Sequence, residues 1–153
     1  MLEVKIATND DIEDLMDSRL EMLRVVNDLD DDYKYDDDFI KESREYFLNG
    51  DQISLLAFFD GKLVGCASMC FIKIMPTFSH PTGYRAHLMN VYTNANYRRK
   101  GIGYKMTMKL IDMAWEKGAT EISLDATQSG RKLYSKCGFV DSGECMVLTK
   151  NND

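Results

Sequence analysis

Residues 94–106, NANYRRKGIGYKM, set three consecutive cations, Arg98, Arg99 and Lys100, against two glycines one residue apart. An apolar stretch with helical spacing follows at once: Ile102, Met106, Leu110, Met113 and Ala114 recur along one helix face, which Gly118 ends. The spacing predicts a helix over about 103–117. Upstream, YRAHLMNVYT (84–93) reads as a strand. A strand that enters a glycine-bearing turn and then a helix exposes unpaired backbone N–H groups, where the helix dipole adds about half a positive charge. Gly101 and Gly103 let an anion approach the backbone closely, and the three cations surround it with mobile charge. From spacing alone the loop is either a phosphate cradle or a solvated basic turn.

Working outward, TEISLDA (120–126) is a short strand with Ile122, Leu124 and Ala126 on one face. Strand, helix and strand then form a parallel crossover, right-handed by the general rule, with the loop at a strand's carboxyl end. ISLLAFFDGKLVGCASMCFIKIM (53–75) reads as two strands joined by a type I′ turn at Asp60-Gly61. Ahead of it lie a strand over 2–7 and a helix capped by Thr8 with Ile12, Leu15, Met16, Leu20 and Leu23 on one stripe. DLDDDYKYDDD (28–38) is a self-repelling loop. A second helix follows, bearing Phe39, Ile40, Ser43, Tyr46 and Phe47, capped by Asp36 to Asp38 and ended by Asn49-Gly50. Pro76 and Pro81 bracket a loop that contains His80; SGRKLYSKCGF (129–139) is a short helix ended by Gly138; one or two strands are expected over 139–149. The predicted class is α/β (α+β): a mixed, mostly antiparallel sheet with a central parallel strand-helix-strand crossover and flanking helices.

The 153 residues fit a single domain, 1–153, and 44% hydrophobic with 29% charged residues is the composition of a folded chain. A net charge of -6 argues against non-specific binding of nucleic acid or an anionic membrane. The start, MLEVKIATNDD, has neither the basic end nor the apolar segment of a signal peptide, so a cytoplasmic location is expected. Cys66, Cys70, Cys137 and Cys145 lack paired C-x-x-C spacing, and no metal site is predicted. They read as reduced core thiols, with Cys137 near Arg131 and Lys132 the one candidate for reactivity.

Known phosphate loops can be tested against the letters. The segment lacks the G-x-x-x-x-G-K of a nucleotide P-loop, and a dinucleotide fingerprint needs a small residue where Met106 stands. What matches is R-x-x-G-x-G from Arg98 to Gly103, followed by GRKLYSKCGF from Gly130 to Phe139. The chain thus resembles the GNAT superfamily of N-acetyltransferases over roughly 50–149. The resemblance implies acetyl-CoA as cofactor, its pyrophosphate held by Arg98, Arg99, Lys100, Gly101, Ile102 and Gly103. It also implies that the preceding strand splays from the next, freeing backbone groups of Asn90, Val91, Tyr92 and Thr93 for the pantetheine arm. Relatives often carry an asparagine ahead of the last helix; here Thr127, Gln128 and Ser129 stand there, with Ser129 the cofactor contact expected from this turn.

Acyl transfer to an amine needs a neutral amine, an oxyanion donor and a proton for the departing thiolate. The resemblance assigns the proton donor to Tyr134; without it, Tyr134 reads as a core tyrosine beside Leu133. His87 is the candidate base, placed where some histone-acetylating relatives carry a glutamate; a packed strand histidine with ordered water as the base is the alternative. His80 is a weaker candidate because its loop fixes no spacing. The acidic run at 28–38 either attracts a cationic acceptor or is simply solvated. The expected function is transfer of acetyl from acetyl-CoA to a primary amine of a small cationic molecule or peptide, by direct attack in a ternary complex. The rival is a non-catalytic acyl-CoA sensor or interaction module. An RNA-binding module is disfavoured by net acidity, no membrane partner is expected, and a homodimer stays open because no feature encodes oligomeric state.

Overall fold

In the computed structural model, which describes residues 1–150, Asp60 and Gly61 take φ of 50° and 81° and turn β2 (Gln52–Phe59) back onto β3 (Lys62–Lys73). Both angles lie in the left-handed region that a type I′ turn requires. β1 (Leu2–Ile6) pairs antiparallel with β2, and β3 pairs antiparallel with β4 (Tyr84–Thr93). β4 pairs in parallel with β5 (Ile122–Ser123) across α3 (Ile102–Lys117), so the sheet order follows the chain order from β1 to β5. The sheet is mixed and mostly antiparallel, and its parallel pair closes one end.

Each face of the sheet is covered. On one side Leu55, Met69, Ala86 and Leu88 pack with Ile102, Met106, Leu110 and Ala114 of α3. On the other, Leu56, Cys66 and Tyr92 pack with Leu15, Met16 and Met22 of α1 (Ile12–Val26) and Phe47 of α2 (Asp37–Asn49). The run Ser54 to Ala57 is buried at every position because β2 lies between both layers, so its apolar letters do not alternate.

Local chemistry sets the helix ends. The Asp11 carboxylate accepts from the Thr8 N–H at 2.8 Å across a short 3-10 turn, Asn9–Asp11, and α1 begins after it. The Asp36 carboxylate accepts from the Asp38 N–H at 2.8 Å and caps α2. Between these helices Tyr35 donates to the Leu20 carbonyl at 2.7 Å and stacks on Phe39, so aromatic contacts anchor the loop while its aspartates stay in solvent.

The strands expected over 139–149 are absent: that segment is irregular, with Val140, Met146 and Leu148 at least 89% exposed. β5 spans two residues only, and an edge this short offers a further strand almost no ladder to pair with. α4 (Arg131–Cys137) precedes the segment. No helix among the described residues is long and apolar enough to cross a membrane.

Leu110 has no exposed surface and sits where α3 crosses the sheet. Leu110→Ala is expected to lower unfolding free energy by about 2–5 kcal/mol in urea titrations, through lost burial and the cavity left behind.

Candidate functional site

The ladder between β3 and β4 slips by one residue: Cys66 faces Tyr92, whereas Ser68 faces Met89. The slip is accommodated at Asn90, whose φ is 61°. Inside–outside parity reverses there. Ala86 and Leu88 join the core under α3, while Tyr92 joins the core under α1, and Met89 and Asn90 both line one cavity. β4 also loses its other neighbour here, since its pairing with β5 consists of Ala86 with Ile122 and His87 with Ser123. From Leu88 to Thr93 that edge of β4 is open among the described residues. Two of its carbonyls are engaged elsewhere: Asn90 accepts from the Cys66 thiol at 3.4 Å, and Thr93 accepts from Arg98 Nε at 3.2 Å. Burial, with a hydrogen bond to Glu21, pushes the Tyr92 phenol up to about 12.

The open edge runs into the glycine loop. A 3-10 turn, Ala95–Tyr97, leads to Arg99 and Gly101, both left-handed with φ of 63° and 76°. The Lys105 N–H bonds the Gly101 carbonyl at 2.9 Å, so the amides of Ile102, Gly103 and Tyr104 form the uncapped first turn of α3. Arg98, Arg99 and Lys100 are exposed, and none lies within 4.0 Å of a carboxylate among the described residues. Lys100 lies over the Phe59 ring, 5.5 Å from its centroid. The Ile102 side chain is in the core at 2% exposure, so only its amide faces the loop.

α4 packs on that first turn. A Cβ at Gly103 would lie 3.4 Å from Leu133 Cδ2, and Lys136 Nζ sits 4.6 Å from the Tyr104 ring centroid. This docking brings Tyr134 beside the loop's helix. Its ring meets Phe139 edge-on, its hydroxyl makes no hydrogen bond with the described residues, and burial raises its pKa, with Cys137 acting in the same sense. Ser129 lies in the turn before α4, with its Oγ 3.2 Å from Thr127 Oγ1.

The cavity, about 270 Å³, opens on the opposite sheet face between α1, α2 and the strands. Its floor is a hydrogen-bonded chain: Gln52 to Ser54 (2.6 Å), Ser54 to Ser68 (2.7 Å), Ser68 to Asn90 (3.4 Å) and Asn90 to Arg19 (3.2 Å). His87 stands across the ladder from Cys70, a cavity wall residue. Its Nδ1 lies 2.8 Å from Ser123 Oγ and its Nε2 3.6 Å from Asp125 Oδ2. His80 instead bridges Thr120 and Glu121, at 2.9 Å and 3.2 Å, and ties its loop to the start of β5.

None of the aspartates of 28–38 lines the cavity, whose ionisable walls include Arg19 and Glu42. Sequence reasoning missed Arg19, although a signal was present: it stands three or four residues from Leu15, Met16, Met22 and Leu23, a charge within an apolar stripe. The bulge at Asn90 left no comparable mark, because it depends on a cross-strand register.

Comparison with known proteins agrees with this layout. The model of the acetyltransferase (GNAT) family matches residues 12–139. A probable glucosamine 6-phosphate N-acetyltransferase 2 from Oryza sativa subsp. japonica is 35% identical over 66 residues, 43% of this chain and 40% of that protein. The glucosamine 6-phosphate N-acetyltransferase of Trypanosoma brucei brucei is 30% identical over 79 residues, 52% of each chain. The chain thus spans 40% and 52% of these relatives' lengths. A predicted acetyltransferase from Clostridium acetobutylicum, solved with acetyl-CoA, superposes with a TM-score of 0.85 at 26% identity, covering 97% of this chain and 96% of that one.

The two glycines predict different variants. Gly103→Val places its Cβ in van der Waals contact with Leu133, 3.4 Å away, and adds two methyl groups beside the first-turn amides, so calorimetry is expected to show no acetyl-CoA binding by the folded variant. Gly101→Ala meets nothing within 4 Å but keeps φ of 76°, so it should fold with about 1 kcal/mol less stability and weaker binding.

Proposed function

The chain belongs to the acetyltransferase (GNAT) family, and on that premise we propose that it transfers acetyl from acetyl-CoA to the primary amine of a small molecule or peptide. Transfer is by direct attack in a ternary complex. One observation carries the reading: the open edge of β4 joins an uncapped, cation-flanked helix start to a cavity on the other face of the sheet.

The residues present fit the cofactor. A diphosphate needs N–H donors and positive charge, and the turn from Arg99 to Tyr104 offers both without a competing cap or ion pair. Arg98, Arg99, Lys100, Gly101, Ile102 and Gly103 would hold that diphosphate, while Asn90 to Thr93 would line the arm and Ser129 would contribute from the turn before α4. When bound, acetyl-CoA supplies a thioester whose carbonyl carbon accepts the amine lone pair as the C–S bond breaks.

Tyr134 has the properties of a proton donor to sulfur: its pKa is raised by burial, so the phenol stays protonated through neutral pH, and its hydroxyl has no partner among the described residues. His87 marks where β4 and β5 part, on the face that carries the cavity, and would take the amine proton on the ring nitrogen that its tautomer leaves bare. The acceptor expected from the sequence is a small cationic molecule or peptide; the relatives above are named for glucosamine 6-phosphate, an amino sugar phosphate. The cytoplasm is its proposed location. The sensor reading makes a different forecast, binding of acetyl-CoA with no release of coenzyme A on any amine.

Tyr134→Phe should leave acetyl-CoA affinity nearly unchanged and slow turnover by about 10- to 1000-fold in a thiol-release assay. An unchanged rate would remove Tyr134 from the chemistry. Because its pKa is shifted upward, loss of the donor proton should not depress the parent's rate below about pH 10.

For His87→Ala the informative measurement is the pH dependence of kcat/KM. A profile of different shape from the parent's, with the fold intact, is expected; one that superposes on the parent's assigns the base to water instead.

A further inference from the structure

We infer that Arg19 is an anion-recognition residue of the acceptor site, and that the acceptor carries a phosphate or carboxylate as well as its amine. The inference rests on the acetyltransferase reading and narrows its substrate. Arg19 projects from the buried stripe of α1 into the cavity, where Asn90 Oδ1, a neutral acceptor, takes one of its five N–H donors at 3.2 Å. No carboxylate lies within 4.0 Å of it among the described residues. A half-buried guanidinium without a counter-ion is held at a desolvation cost, which burial registers as a lowered pKa. Arg85, by contrast, bonds Glu121 at 2.9 Å, and Arg24, which like Arg19 has no carboxylate partner among the described residues, lies over the Tyr35 ring at 5.7 Å rather than in the cavity.

The surrounding chemistry fits an arriving anion. The planar fork of an arginine matches two oxygens of a carboxylate or phosphate, and the Gln52 amide, which spends one N–H on the Phe47 carbonyl, keeps a second at the cavity floor. Glu42, at the rim on α2, carries the opposite charge without pairing with Arg19. A cavity with one cation inside and one anion at its mouth is complementary to a zwitterion rather than to a polycation. The exposed aspartates of 28–38 do not oppose this, because none reaches the cavity and screening limits their reach to about 8 Å at physiological salt. Asn90 links the cavity to the open edge of β4: it bonds Arg19 with its side chain and sits at the bulge within that edge.

Steady-state acetylation by the full chain tests this with four probe acceptors: glucosamine 6-phosphate, glutamate, glucosamine and putrescine. At least one anionic probe is expected to exceed glucosamine and putrescine by 10-fold or more in kcat/KM; the phosphate or the carboxylate is assigned by which one does. Arg19→Met should raise KM for that probe by about 10- to 100-fold and for glucosamine by far less, with acetyl-CoA still bound, and Arg19→Lys should recover part of the loss. Equal or better use of glucosamine or putrescine, or turnover of neither anionic probe by protein that binds acetyl-CoA, would overturn the inference. So would an Arg19→Met that loses acetyl-CoA binding, or slows all acceptors alike, since a residue that only shapes the bulge behaves so. Parent protein that fails to bind acetyl-CoA removes the acetyltransferase reading itself, and this inference with it.

Discussion

The architecture of the site depends on one extra residue in β4. Asn90 cannot be absorbed by the antiparallel ladder, so it takes φ of 61° and shifts the register against β3. A left-handed conformation is unfavourable for most residues, and asparagine is among the few side chains that tolerate it. Two results follow from this geometry. The side chain of Asn90 turns onto the cavity face, where Arg19 and Ser68 satisfy it, and the strand beyond is left unpaired on the β5 side.

How far the fold could be read from the letters follows from the range of each signal. The Asp60-Gly61 turn, the stripe of α3 and the Asp36 cap act over a few residues, and all three stand where the sequence placed them, within a residue or two. The glycine loop was legible because its glycines and cations are contiguous. Cross-strand facts were not. Nothing in LMNVY announces a register slip, and the resemblance alone suggested that the strands part there. The final strands failed for a related reason: residues 139–149 carry β-forming letters, but a strand exists only against an edge, and a two-residue β5 supplies little of one. The cavity walls come from α1, α2 and three strands, so they became a site only once folded. Arg19 could have been flagged from its place in the apolar stripe, though not its partner.

Electrostatics divides between long and short range in this chain. A net charge of -6 opposes the approach of a diphosphate at distance, whereas Arg98, Arg99 and Lys100 sit exposed within one turn of the anion's place. With a screening length of about 8 Å the near charges dominate at contact. The cations cannot orient the ligand, since exposed side chains sample many rotamers. In the proposed cofactor site orientation would fall to the amides, whose loop holds left-handed Arg99 and Gly101. Capture and alignment are thus assigned to different atoms of one loop.

The role proposed for Tyr134 carries an energetic constraint. An unperturbed phenol with pKa about 10 giving its proton to a thiolate with conjugate-acid pKa about 8.5 transfers uphill by roughly 2 kcal/mol. Burial of Tyr134 raises its pKa and steepens that slope if the sulfur is solvated. The same burial would weaken the thiolate's hydration, because sulfur leaving beside Tyr134 would share its apolar surroundings, the Phe139 ring among them. Desolvation penalises both anions, so the gap between them changes less than either value alone. A hydroxyl without protein partners is then free to donate a hydrogen bond to charge as it accumulates on sulfur, and the proton moves fully only as the thiolate separates. Among the described residues the phenol has no acceptor to release first, which is what the proposed donor role requires and a packed tyrosine with a spent hydroxyl would lack.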